Sequence, residues 1–185
     1  LSQFDPWAVV TQAIDSSKII WLDNEKTVFL KYTQKHPCHN VASRLLSIFD
    51  EATLEGIHDG VAQIWSKRTF RAPFNLTVDD MVVLLKHFGY EIVGNIVKSG
   101  TVNVPFMEMN PAEIPLVEYL MASGGFSTLD DMRIQLPELL EHGTTQSQYL
   151  FGTSPLFERL GPSLYGLRGY RYAPGELSSA QKKAN

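Results

Sequence analysis

The stretch SPLFERLGPSLYGLRG, Ser154 to Gly169, sets two short apolar runs, LFERL and LYGLR, on either side of a Gly161-Pro162-Ser163 turn. Two such runs around a Gly-containing turn predict a β-hairpin. Pro162 suits the second position of the turn, and the glycines permit tight turning and close approach. Leu156, Phe157, Leu160, Leu164, Tyr165 and Leu167 are expected in the core, while Arg159 and Arg168 stand one on each arm. What the hairpin closes depends on the segments before it.

Working back, Asn110-Pro111 opens a helix carrying Ile114, Val117, Tyr119, Leu120 and Met121, and Gly124-Gly125 stops it. Ser127 or Thr128 caps the next helix, with Asp130 and Asp131 placed favourably in its first turn and Pro137 ending or bending it. Thr144 or Thr145 caps a short third helix, TQSQYLFGT, directly before the hairpin. The same order runs through the middle of the chain. Asn40 caps a helix to about Glu51, with Val41, Leu45, Ile48 and Phe49 at helical spacing; Thr53 caps a second, with Leu54, Ile57, Val61, Ile64 and Trp65 inward. Thr77 caps a third, bearing Val78, Met81, Val82, Leu85 and Phe88 and stopped by Gly89; YEIVGNIVKSGTVNVPF then reads as two strands about a Lys98-Ser99-Gly100 turn. Earlier still, Asp5-Pro6 starts a helix, and Ile20, Leu22, Val28 and Leu30 flank a polar Asp23-Asn24-Glu25-Lys26 turn as a hairpin.

Helix, helix, helix, hairpin thus occurs twice, with hairpins recurring on the order of 70 residues apart, a spacing that suits small domains rather than a solenoid. Three helices and a two-stranded wing form the winged-helix variant of helix-turn-helix. The expected fold is mainly α with small β-hairpins (α+β), arranged as tandem winged helix-turn-helix units. Residues 37–106 and 107–172 form one unit each; residues 1–36 are either the back half of a third or a helix and hairpin flanking the first; residues 173–185 are a flexible tail.

Composition narrows the function classes. The 185 residues are 44% hydrophobic and 19% charged, ordinary for a globular domain. No apolar run reaches the roughly 18 residues of a membrane span, and LSQFDPW lacks a secretory pattern. Leu1 and the polar end GELSSAQKKAN read as the limits of a fragment. The lone Cys38 fits a reducing, cytoplasmic setting. A net charge of −4 argues against a generally polybasic nucleic-acid binder, so any DNA contact is local.

The closing hairpin, LFERLGPSLYGLRG, resembles that of HARE-HTH winged helices, which accompany restriction and chromatin-associated proteins: an apolar-aromatic strand, a Gly turn, then Tyr-Gly-Leu-Arg. More loosely, Asn40 to Gly169 resembles bacterial helix-turn-helix proteins related to sigma-factor DNA-binding regions. There NVASRLLSIFDEATLEGIHDGVAQIWSKRTFRAP is similar to the first two helices and a basic linker, and TTQSQYLFGTSPLFERLGPSLYGLRG to the recognition helix and wing. The resemblance implies DNA binding.

Candidate contacts follow from that geometry. In a winged helix the third helix enters the major groove while wing and helix termini hold phosphates. Thr144, Thr145, Gln146, Ser147 and Gln148 supply short polar groups there, and Gln pairs bidentately with adenine. Arg159, Arg168 and Arg171 are candidates for phosphate; Lys67, Arg68 and Arg71 in SKRTFR are a second grip. Two features oppose this. Asp79 and Asp80 begin the first unit's third helix, and from Met107 to Tyr172 four arginines face eight acids, a net of −4.

His36, Cys38 and His39 in KHPCHN lack the spacing of a zinc site, and no CxxC, HExxH, P-loop or GxGxxG is present. The pairs Asp79-Asp80 and Asp130-Asp131 are explained by helix starts. The expectation is no enzyme, no metal and no cofactor. The chain reads as a cytoplasmic DNA-binding regulatory protein, or a fragment of one, acting on double-stranded DNA in transcriptional control or in recruiting a partner enzyme to DNA. The alternative is a winged-helix protein–protein adaptor in a transcription or defence complex, with a protein partner or a homodimer; no membrane partner is expected.

Overall fold

The computed structural model describes residues 19–21, 28–30, 36–66, 76–101, 109–140, 150–173 and 175–184. Its first element is an antiparallel hairpin, β1 (Ile19–Trp21) with β2 (Val28–Leu30), in register Ile20 to Phe29. The expected helix before it lies outside the described residues.

Helix α1 spans Pro37–Leu46, three residues earlier than Asn40 suggests. Pro37 takes the first helical position, where no amide partner is lost, and the imidazole Nδ1 of His36 accepts the Cys38 N–H at 3.2 Å as the cap. The helix ends well before Glu51, because residues 51–53 form a strand, β3 (Glu51–Thr53). Thr53 then caps α2 (Leu54–Ser66), its Oγ1 accepting the Gly56 N–H at 3.0 Å. Thr77 and Asp80 form a reciprocal capping box at the start of α3 (Val78–His87), as T-x-x-D spacing allows.

The hairpin β4 (Glu91–Val93) and β5 (Ile96–Lys98) turns at Gly94-Asn95, not at Lys98-Ser99-Gly100. Gly94 has φ +58°, which a two-residue turn of primed type demands and glycine grants without strain. β3 pairs antiparallel with β5, Ala52 opposite Val97, giving the sheet order β3-β5-β4.

The second half repeats the plan. Helix α4 (Ile114–Ala122) leads through Gly124 and Gly125, at φ +79° and +89°, into β6 (Phe126–Thr128). Thr128 caps α5 (Leu129–Gln135), and Pro137 restarts the chain as α6 (Pro137–Leu140). Residues 150–153 are helical. β7 (Phe157–Arg159) and β8 (Leu164–Leu167) form the hairpin expected from the sequence, and β6 joins β8 to give the order β6-β8-β7. The expected tail is in part helix α7 (Glu176–Ala184). The molecule is thus mixed α and β, with two small three-stranded antiparallel sheets of identical strand order.

One core runs through both halves. Leu45, Ile57, Leu84, Leu85 and Phe88 from the first are fully buried, as are Leu116, Leu120, Met132, Leu156 and Phe157 from the second. No helix among the described residues is long and apolar enough to cross a membrane.

Candidate nucleic-acid interface

The β7–β8 hairpin carries two of the three C-terminal arginines, and strand alternation sends neighbouring side chains to opposite faces. Arg159 ends β7 on the exposed side. Its Nε donates to the Gly161 carbonyl at 3.0 Å and its Nη2 to the Pro162 carbonyl at 2.7 Å, so the guanidinium lies over the turn, in solvent. Arg171 is exposed beyond β8 and forms an ion pair with Glu51 of the first half.

Arg168 does not reach the surface, which corrects its assignment as a phosphate contact. It is only 6% exposed. Nε donates to the Pro155 carbonyl at 2.9 Å, and Nη2 donates to the Phe157 carbonyl at 3.3 Å and to Gln63 Oε1 on α2. Gln63 in turn donates through Nε2 to the carbonyls of Phe151 (3.2 Å) and Ser154 (3.0 Å). A planar five-donor group suits such a site, which asks one side chain to satisfy several fixed oxygens at once. Arg168 and Gln63 therefore clasp the two halves together.

The clasp sits beside a cavity of about 320 Å³ lined by Glu51, Thr53, Asp59, Glu158, Arg168 and Arg171. Burial raises the Glu158 carboxyl above the ordinary range; the Arg168 charge opposes this and Asp59 adds to it. Burial wins because the Arg168–Glu158 pair is long, at 3.9 Å, with the other guanidinium donors facing carbonyls. Two further ties cross the junction: Arg44 on α1 pairs with Glu113, and Phe49 meets Tyr170 edge-on at 6.4 Å.

The hairpin's glycines have a packing role. A Cβ on Gly166 would strike the Tyr172 hydroxyl and Leu160, and one on Gly125 would strike the Tyr170 ring. Tyr170 and Tyr172, at a ring separation of 5.3 Å, thus lie across backbone where no other residue leaves room. Leu156, Phe157, Leu164 and Leu167 are buried as expected, while Leu160 and Tyr165 are half-buried.

Lys67, Arg68 and Arg71 lie outside the described residues, as do Thr144, Thr145, Gln146 and Gln148. At the start of α3 Asp80 is held by its own capping box and Asp79 is exposed. Within KHPCHN, His36, Cys38 and His39 are core: they are 3%, 0% and 0% exposed, and both imidazoles pack at a tilt against Phe88, ring centroids 5.5 Å apart. Burial pushes the Cys38 thiol up to about 12, far from a reactive thiolate. Burial, aided by the His39 charge, lowers His36 to about 4.

Gln63 and Glu158 are the residues that the sequence reading passes over. The available signal was Gly60, mid-helix on α2, where glycine weakens a helix unless something approaches closely. A Cβ there would meet Val41 at 2.7 Å, Pro155 at 3.4 Å and Arg168 at 3.5 Å. No protein-family model, curated protein or solved structure matches this chain.

Proposed function

We propose that the chain is a tandem winged-helix protein that binds double-stranded DNA. The observation that carries the reading is the repeated topology. In each half a helix, a strand, further helical segments (two in the first half, three in the second) and a hairpin follow in order, and the first strand pairs with the last. That order supports the winged-helix reading, in which the third helix lies in the major groove and the wing follows the backbone. Base contacts fall to Thr144, Thr145, Gln146 and Gln148 before helical residues 150–153, and phosphate contacts to Arg159 and Arg171. Lys67, Arg68 and Arg71 are the first unit's grip. Arg168 supports the wing from beneath.

A second reading, a winged-helix adaptor for a protein partner, is favoured by the surface of both halves. Val93 at the β4–β5 turn is 59% exposed and Ile134 on α5 is 72% exposed, with Asp79 and Asp130 exposed near the starts of α3 and α5. Exposed apolar and acidic side chains suit protein better than phosphate.

Fluorescence anisotropy of a labelled random-sequence duplex, titrated at several salt concentrations, separates the two. DNA binding gives salt-weakened affinity, and the variant Arg68→Ala/Arg71→Ala flattens the log–log slope by roughly 0.9 per lost phosphate contact. Absence of binding at low salt leaves the adaptor.

A further inference from the structure

The C-terminal helix is docked on the wing. Leu177, Ala180 and Gln181, at helical spacing, are the half-buried positions of α7, and Glu176, Ser178, Ser179 and Lys182 are exposed. Gln181 Nε2 donates to the Leu160 carbonyl at 2.9 Å, fixing the last turn of α7 against the β7–β8 turn. Leu160 directly follows Arg159, and Lys182 directly follows Gln181. One hydrogen bond therefore ties together the chain neighbours of two exposed cations, Arg159 on the hairpin and Lys182 on the helix. The helix is also polarised along its length. Glu176 stands at its start, lining a separate cavity of about 750 Å³ with Ser127, Thr128 and Asp131, whereas Lys182 and Lys183 stand at the wing end. Glu158, the acid nearest in sequence, faces the inter-unit cavity, so it does not neutralise Arg159 across the strand.

We infer that α7 is part of the wing: Lys182, on the helix that the Gln181–Leu160 hydrogen bond docks on the hairpin at the residue after Arg159, is a phosphate-contacting residue, and α7 and the hairpin together grip one backbone of duplex DNA. This inference rests on the DNA-binding reading and deepens it. Two exposed cations held on a docked hairpin and helix leave little backbone ordering to be done on binding. The second lysine, Lys183, lies next along the chain.

The test is anisotropy of the full chain with a fluorescein-labelled duplex of about 20 base pairs, a length that exceeds one winged-helix footprint. Wild type is compared with Lys182→Gln, Arg159→Gln, the pair of both, and Gln181→Ala, with circular dichroism confirming that each is folded. Lys182→Gln and Arg159→Gln are each expected to flatten the salt slope by roughly 0.9, so that a fourfold rise in salt weakens the variant about 3.5-fold less than wild type. The pair should flatten it by roughly twice that, and Gln181→Ala should weaken binding with all charges intact. If wild type binds and Arg159→Gln flattens the slope while Lys182→Gln leaves it unchanged, α7 is not in the grip and the DNA reading stands. If wild type shows no salt-dependent binding, both fall together.

Discussion

Arg168 shows how much one side chain's surroundings matter beyond its charge. Arg159 and Arg168 stand one on each arm of the hairpin, yet one lies over a turn in solvent and the other is 6% exposed, donating to two carbonyls and to Gln63. Removing a buried hydrogen-bonded cation leaves its acceptors and its partner Glu158 unsatisfied, which costs more than the contacts are worth when made. Arg168→Ala is expected to lower unfolding free energy by about 3 kcal/mol in urea melts, against about 0.5 kcal/mol or less for Arg159→Ala. Arg168→Lys should restore little, since an ammonium on a flexible stem does not match the fixed fork. Equal small losses for Arg159→Ala and Arg168→Ala would refute the clasp. His36 gives a pH dependence of defined sign. Burial and the His39 charge lower it from 6.5 to about 4, so between these values the unfolded chain binds the proton that the folded chain rejects. Stability from this group is therefore full above pH 6.5 and is lost as pH falls towards 4, by at most about 3 kcal/mol. Asn accepts a hydrogen bond at a helix N-cap and does not titrate. His36→Asn should consequently flatten the loss of stability between pH 6.5 and 4 relative to wild type, followed by thermal melts at intervals of half a pH unit. A variant curve parallel to wild type would place the titration elsewhere.

At the scale of elements, glycine positions separate conformational need from space. Gly94 and Gly100 both adopt positive φ, +58° and +53°, beside the same hairpin. A Cβ on Gly94 meets nothing within 4 Å, whereas on Gly100 it would lie 2.6 Å from the Gly89 carbonyl oxygen and 2.7 Å from the Glu91 nitrogen. Backbone cannot swing aside as a side chain can. Gly94→Ala is expected to cost about 1 kcal/mol from the left-handed conformation alone, and Gly100→Ala at least twice that, about 2–4 kcal/mol, by chemical denaturation. Matching losses would mean that the close approach is relieved cheaply. The same elements show what local sequence can and cannot carry. The helix caps Thr53, Thr77 and Thr128, the break at Pro137 and the LFERL–LYGLR hairpin were legible, because a cap, a proline and a paired alternation are set by chemistry within a few residues. The strands β3 and β6 were not. Glu51–Thr53 and Phe126–Ser127–Thr128 are three residues each, and they are strands only because a hairpin about 40 residues downstream offers a free edge. The turn was placed wrongly for a related reason: Gly94-Asn95 and Ser99-Gly100 are both turn dipeptides, and pairing with β3 selects the first. Of the site, the exposed position of Arg159 was legible from the hairpin. The burial of Arg168 was not, since it depends on Gln63, 105 residues away.

At the scale of the whole molecule, the two repeats do not behave as beads on a string. Small domains joined by linkers ordinarily meet through modest polar surfaces and move independently. Here the core is continuous, Gly60 lets α2 approach Pro155 and Arg168, and Gln63 satisfies carbonyls at the end of the second unit's last helical turn. Arg44–Glu113, Arg171–Glu51 and Phe49–Tyr170 add ties at separate points along the junction. Halves tied at several points present their surfaces at one fixed relative angle. The physical consequence is cooperative unfolding. Amides buried in either half should open only with the whole, so the Leu84 N–H in α3 and the Leu167 N–H in β8, which bonds Gly125 at 2.9 Å, are expected to exchange with one shared opening free energy. Gln63→Ala removes three hydrogen bonds of the clasp while leaving the two cores intact, and should split those values by about 1–2 kcal/mol. Native-state hydrogen exchange, read residue by residue, makes the comparison. Separate values already in wild type would mean that the units unfold alone and that the junction does not hold their angle.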